Sequence, residues 1–271
     1  VAMILPSVPL PSLISGLAAA LAYALVAFWG GRLPEKRTQA LVTLAWALHA
    51  LSVLLSLFSP EGPPRFGFAP ALSATAWLVL TFYTLERHWF PQLQARWMLA
   101  GLGALGVLLA LLFPGQPMHL KASAWLPLHW VLGLASYGLF AAAVVHAVLM
   151  TRTEKLIRQA VDVEGSLPLL TLERLTFRFV KAGFVLLSAT LLAGWWFSDH
   201  LYGAETGWRW DHKTVFAFLA WLTFAGLLLA RNRLGWRGRK ATRVLYAGAG
   251  LLLLSYAGSR FVLEVILGRA A

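Results

Sequence analysis

The chain has no cysteine, few charges and no polar stretch long enough to build a separate soluble domain. Without cysteine it forms no disulfide, no thiolate metal site and no thioether link to a haem. Any redox group it handles is therefore held non-covalently. Charged residues make up 13% of its 271 residues, about half the share of a soluble domain. Acids are scarcest: 11 Asp and Glu stand against 23 Lys and Arg, for a net charge of +12. In a soluble protein such an excess suggests nucleic acid. Here the basic residues cluster in alternate loops, and no nucleic-acid partner is expected.

What the chain has in abundance is apolar surface, with 59% hydrophobic residues and a mean hydropathy of +0.69. A helix needs about 20 mostly apolar residues to cross a hydrocarbon core about 30 Å thick. Eight segments qualify, at 10–31, 39–59, 70–86, 97–113, 126–150, 177–197, 213–230 and 243–267, the third and fourth being short. The first is too long for a signal-peptide core and lacks a basic flank, which predicts a retained span. The expected fold is all-α: one polytopic membrane bundle of about eight helices over residues 1–271. Alternate loops carry sixteen Lys and Arg on one side and five on the other. By the positive-inside rule this puts both termini on the outer, periplasmic side of a bacterial inner membrane.

Two loops exceed simple connectors. Residues 152–179 form the longest cytoplasmic segment, and Leu169, Leu172, Leu175 and Phe179 are spaced for an interfacial helix. Residues 195–213 form an outer loop rich in tryptophan and glycine.

Ionisable groups inside spans are costly and mark candidate sites. His49 lies mid-span, with Trp46, Ser52, Val53 and Ser56 on or beside its face. It reads either as a haem-iron ligand or as an interhelical hydrogen bonder. His129 opens the fifth span at its outer end, and Gly133, Ser136, Tyr137 and Phe140 continue its face with space for a flat ligand. The alternative is an interfacial histidine in an aromatic belt. His88, His119 and His146 read as solvated interfacial imidazoles. Arg260 and Glu264 form an i, i+4 pair in the last span. Arg260 could also fork a carboxylate such as a haem propionate. No inverted repeat or paired broken helices point to a secondary transporter.

The outer loop carries the strongest pattern. Gly194-Trp195-Trp196, followed by Trp208-Arg209-Trp210-Asp211-His212-Lys213, resembles the tryptophan-rich WWD segment of the cytochrome c assembly proteins of the CcsA and CcmC type. His129-Trp-Val-Leu-Gly-Leu-Ala-Ser136-Tyr137 resembles that family's helix beginning with an outer haem-ligand histidine. Leu48-His49-Ala50, Leu172-Glu173-Arg174, Gly235-Trp236-Arg237 and Tyr256-Ala-Gly258-Ser259-Arg260 spread the likeness over nearly the whole chain, nearest to the short YpjD-like inner-membrane proteins. The resemblance implies a haem-handling, non-enzymatic protein presenting or exporting non-covalent haem b at the outer face for cytochrome c maturation. It implies His129 and His49 as iron ligands, with Trp195, Trp196, Trp208, Trp210, Asp211 and Arg260 around the cofactor. Two departures stand out: His212 replaces the proline that usually follows Trp-Asp, and no histidine follows His212. The second outer ligand is thereby missing, and Tyr256, Ser259 and Arg260 occupy its region. That absence motivates an alternative, a haem-free accessory subunit binding another membrane protein such as an ion transporter.

Overall fold

Helix after helix follows the apolar runs, and proline, glycine and one aspartate set several of the boundaries. The computed structural model describes residues 9–58, 65–90, 96–117, 125–159, 167–196 and 210–268. Its helices are α1 (Leu10–Trp29), α2 (Glu35–Leu57), α3 (Phe68–Trp89), α4 (Arg96–Leu112), α5 (Trp125–Arg158), α6 (Leu169–Trp196), α7 (His212–Leu234) and α8 (Gly238–Ile266). Strands β1 (Arg65–Phe66) and β2 (Gln116–Pro117) pair antiparallel. Among the described residues, seven of the eight helices are long and apolar enough to cross a bilayer, so the chain is a multi-pass, all-α membrane protein. The eighth, α4, spans 17 residues, matching the short fourth segment expected from hydropathy.

Local chemistry explains the boundaries. α1 starts at proline, where a missing N–H costs nothing. The Asp211 carboxylate accepts the Thr214 N–H at 2.8 Å and caps α7. α7 stops at Gly235, whose φ of +65° suits glycine.

The helices fall into two compact units. The first comprises the chain to Leu85, residues 94–120 and the end from Arg260. Here α1 packs on α2 and α4 around the buried residues Tyr23, Val26, Ala45 and Leu99. Ser12 donates to the Ser52 carbonyl at 3.2 Å and meets the Ser56 hydroxyl at 2.9 Å, a polar seam between α1 and α2. Glu264 lies against the Gly67 backbone, where an added Cβ would come within 2.8 Å of its carboxylate. Its carboxylate meets the Phe68 backbone and feels the charge of Arg260.

The second unit contains residues 86–93 and 121–259. Its core is a stack of Phe140 on Phe224, with centroids 3.8 Å apart, flanked by Gly183 and Gly248. Glu173 pairs with Arg231 at 2.5 Å, and the guanidinium lies 3.6 Å from the Phe177 ring centroid.

Two expectations need correction. Leu169–Phe179 is not a separate interfacial helix but runs unbroken into α6. No proline or glycine interrupts 169–182, and Leu172, Glu173, Leu175 and Phe177 are buried in the protein, Glu173 by pairing with Arg231. α5 likewise continues to Arg158, so helix fills most of the expected 152–179 loop. His146 is not a solvated imidazole either: its Nε2 lies 3.0 Å from Glu86, and the two side chains are 4% and 9% exposed. A carboxylate on a neighbouring helix makes its burial tolerable.

Candidate functional site

His49 is enclosed within the first unit. It is 0% exposed, its Nε2 is 2.8 Å from the Ser73 hydroxyl on α3, and the Tyr23 ring meets it edge-on at 5.8 Å. Ser73 also lines a pocket with Ser52, Ser56, Arg65 and Phe66. Its Nε2 is thus taken by a hydroxyl, which matches the interhelical hydrogen bonder, while its Nδ1 is buried without a partner among the described residues.

His129 belongs to the second unit and has different surroundings. Its helix is α5, and Gly133, one turn on, keeps the backbone close to Thr190 of α6, whose Cγ2 would lie 3.7 Å from an added Cβ. The Thr190 backbone approaches the imidazole, and the Lys213 ammonium is near enough to act on it electrostatically. Among the described residues, Nδ1 of His129 has no hydrogen-bond partner although it is buried. A buried, unpaired ring nitrogen is costly unless something fills the position, and a metal is one such occupant.

Aromatic side chains gather where α6 ends and α7 begins. Trp195, Trp196 and Trp210 are 57%, 74% and 65% exposed, the reverse of what tryptophan does in a packed core. From Trp210 a ladder of rings runs into the bundle. Phe218 meets Trp210 edge-on at 6.0 Å, Trp221 stacks on Phe218 at 5.8 Å, and Phe184 stacks on Trp221 at 5.5 Å. The Trp221 indole donates to Ser188 at 2.8 Å, fixing the ladder to α6. Asp211 holds Trp210 at the head of α7 by capping that helix. Burial pushes the Asp211 carboxyl up, but the Thr214 amide and hydroxyl, Lys213 and His212 outweigh it and hold the group below the usual carboxylate range.

Of the residues singled out in the sequence, His129, Trp195, Trp196, Trp210 and Asp211 all belong to this second unit, whereas His49 and Arg260 belong to the first. Trp208 lies outside the described residues, as do Arg209, His119 and His200. Trp195 and Trp196 form the last turn of α6, and His212 and Lys213 the first turn of α7, so the 195–213 segment is partly helical at both ends. Sequence reading passed over Thr190 and the Phe218, Trp221 and Phe184 ladder, and it named Lys213 only as the end of the outer tryptophan motif. The i, i+3 spacing of Phe218 and Trp221 is a usable signal, but their partners on α6 have none. Among the described residues no three His, Asp or Glu side chains converge as a metal cluster. A buried histidine and exposed aromatic side chains in one unit are residue types that can hold a flat, iron-bearing macrocycle.

The fold defines a multi-pass, all-α membrane protein. The chain matches the family model described as Cytochrome C assembly protein over residues 36–267, and it belongs to that family. It is 31% identical over 166 residues to the inner membrane protein YpjD of Escherichia coli strain K12, covering 60% of this chain and 61% of that protein. It is 36% identical over 91 residues to the cytochrome c biogenesis protein CcsA of Prochlorococcus marinus strain AS9601, covering 34% of this chain and 29% of that one. The chain therefore matches less than two thirds of the length of either relative. No solved structure matches it.

Proposed function

We propose that this protein binds haem b non-covalently through His129 and holds it against the exposed tryptophans where α6 ends and α7 begins, for delivery in cytochrome c biogenesis. The observation that carries this reading is that His129, unlike His49, shares its unit with the exposed Trp195, Trp196 and Trp210, and that its Nδ1 is buried without a hydrogen-bond partner among the described residues. The imidazole would bind the iron, and the indoles would cover the macrocycle and limit water. Asp211 orients Trp210 by capping its helix, and Trp208 adjoins the same surface in sequence. His49, already bonded to Ser73, has a structural role here. The iron supplies the redox chemistry, and the chain supplies binding and orientation without catalysis. The loop charge bias puts this end outside a bacterial plasma membrane, where cytochromes c receive haem.

The test is the absorption spectrum and haem content of protein purified from haem-replete cells. The reading predicts a Soret band at near-stoichiometric haem that His129→Ala loses. Haem-free protein that copurifies with a stoichiometric membrane partner would support the accessory-subunit reading, which the lack of any histidine beyond His212 favours.

A further inference from the structure

No histidine follows His212, yet the end of the second unit carries another side chain that ligates iron. Tyr256 lies in a π-helical turn of α8, Leu254–Gly258, and such turns are rare and concentrate at functional sites. The wide turn frees backbone acceptors, and the protein uses them. The Tyr137 hydroxyl of α5 donates to the Leu252 carbonyl and meets the Ser255 hydroxyl at 2.8 Å. Ser259 adds hydrogen bonds to the Ser255 and Tyr256 carbonyls, at 2.9 and 3.1 Å. The segment bearing Tyr256 is thus tied to the helix bearing His129, through a tyrosine about two turns along α5.

Lys213 connects the two groups. Its ammonium lies 5.9 Å from the Tyr256 ring centroid and acts electrostatically on His129. His129, Lys213 and Tyr256 come from α5, α7 and α8, and all three belong to the second unit. Phenolate oxygen is an established axial ligand of ferric haem. A bound phenolate in a weakly hydrated site needs a countercharge, which a neighbouring ammonium provides.

Building on the haem reading above, we infer that Tyr256 provides the second, oxygen ligand to ferric haem bound at His129, with Lys213 as its counter-ion. On ligation the phenol forms an oxygen–iron bond and releases its proton to the aqueous face, and the iron stays ferric. The chain thus carries a histidine–tyrosinate ligand pair where two histidines would otherwise serve. Such a pair favours ferric over ferrous haem, since an anionic oxygen stabilises the higher charge.

The test combines ferric EPR, visible absorption and resonance Raman of the purified haem-loaded protein with its Tyr256→Phe, Tyr256→His and Lys213→Met variants. The wild type should be high-spin, with tyrosinate vibrations. Tyr256→Phe should lose those vibrations while His129 still holds haem, and Tyr256→His should become low-spin. Lys213→Met should weaken the tyrosinate signature without creating a low-spin form. If Tyr256→Phe is poorly produced, the wild-type Raman spectrum and Tyr256→His decide. Haem that is lost in His129→Ala but spectrally unchanged in Tyr256→Phe overturns this inference and leaves the haem reading standing. A low-spin wild type that Lys213→Met converts to high-spin makes Lys213 the ligand, and likewise overturns it. Absence of haem from every form, after loading as well as on isolation, overturns both.

Discussion

Gly248→Ala should destabilise the second unit although alanine is the better helix former. A Cβ at residue 248 would fall 2.7 and 2.8 Å from Phe224 ring carbons, where comfortable carbon contacts lie at about 3.5–4.0 Å. The ring must therefore move by about 0.7–1 Å. It has no free space on its other face, because Phe140 stacks there at 3.8 Å and is itself backed by Gly183, whose own added Cβ would stand 3.2 Å from the Phe140 ring. Overpacking of this kind costs about 1–3 kcal/mol. Replacing a helical glycine by alanine returns about 1 kcal/mol. The net loss is up to about 2 kcal/mol, which lowers Tm by up to about 8 °C in a chain of this size. Thermal unfolding in detergent, followed by tryptophan fluorescence, reads the shift. In a double-mutant cycle with Phe224→Ala, the two changes should be less harmful together than their sum, with a coupling of about 0.5–3 kcal/mol. A raised Tm for Gly248→Ala, or strict additivity in the cycle, would refute the packing argument.

Three further outcomes follow from the polar contacts. Ser73→Ala removes the hydroxyl at His49 Nε2 and leaves a fully buried imidazole without that bond, at a cost of about 1–3 kcal/mol in the same unfolding assay. Glu86→Leu leaves the buried His146 Nε2 without its partner and should cost about 1–3 kcal/mol, while the double change Glu86→Leu/His146→Phe should recover most of it. Asp211→Ala should cost about 1 kcal/mol through loss of the cap and speed hydrogen exchange at the first turn of α7. Because the folded Asp211 carboxyl is held below its ordinary value, its contribution is present above the unfolded pKa and fades as pH falls through the folded one. Protection of the Thr214 amide should decline in acid accordingly, and Asp211→Ala should remove that pH dependence.

Hydropathy made the spans legible because a membrane helix must satisfy its backbone internally and present apolar side chains, which leaves a long one-dimensional signal. The short α4 was visible for the same reason. Helix ends were less so: Leu169–Phe179 looked amphipathic and detachable, and only its packing shows that Glu173 is held by Arg231 from α7. The same holds for His146, whose partner Glu86 is 60 residues away in sequence. At the candidate site, His129 and the paired tryptophans were readable from residue type and spacing. Thr190, Lys213 and Tyr256 were not readable as its neighbours, because contacts across helices leave no periodic trace in any one of them. His49 shows the converse, since a mid-span histidine stands out in sequence whether it binds a ligand or, as its bond to Ser73 indicates, another helix.

The central claim is that His129, and not His49, holds haem. Ferric haem titrated into detergent-purified apoprotein, with the wild type, His129→Ala and His49→Ala side by side and the Soret band as readout, tests it directly. Saturable binding in the wild type, preserved in His49→Ala and weakened at least tenfold in His129→Ala, about 1.4 kcal/mol or more, is the predicted result. Equal binding by wild type and His129→Ala, or a loss confined to a folded His49→Ala, would contradict it.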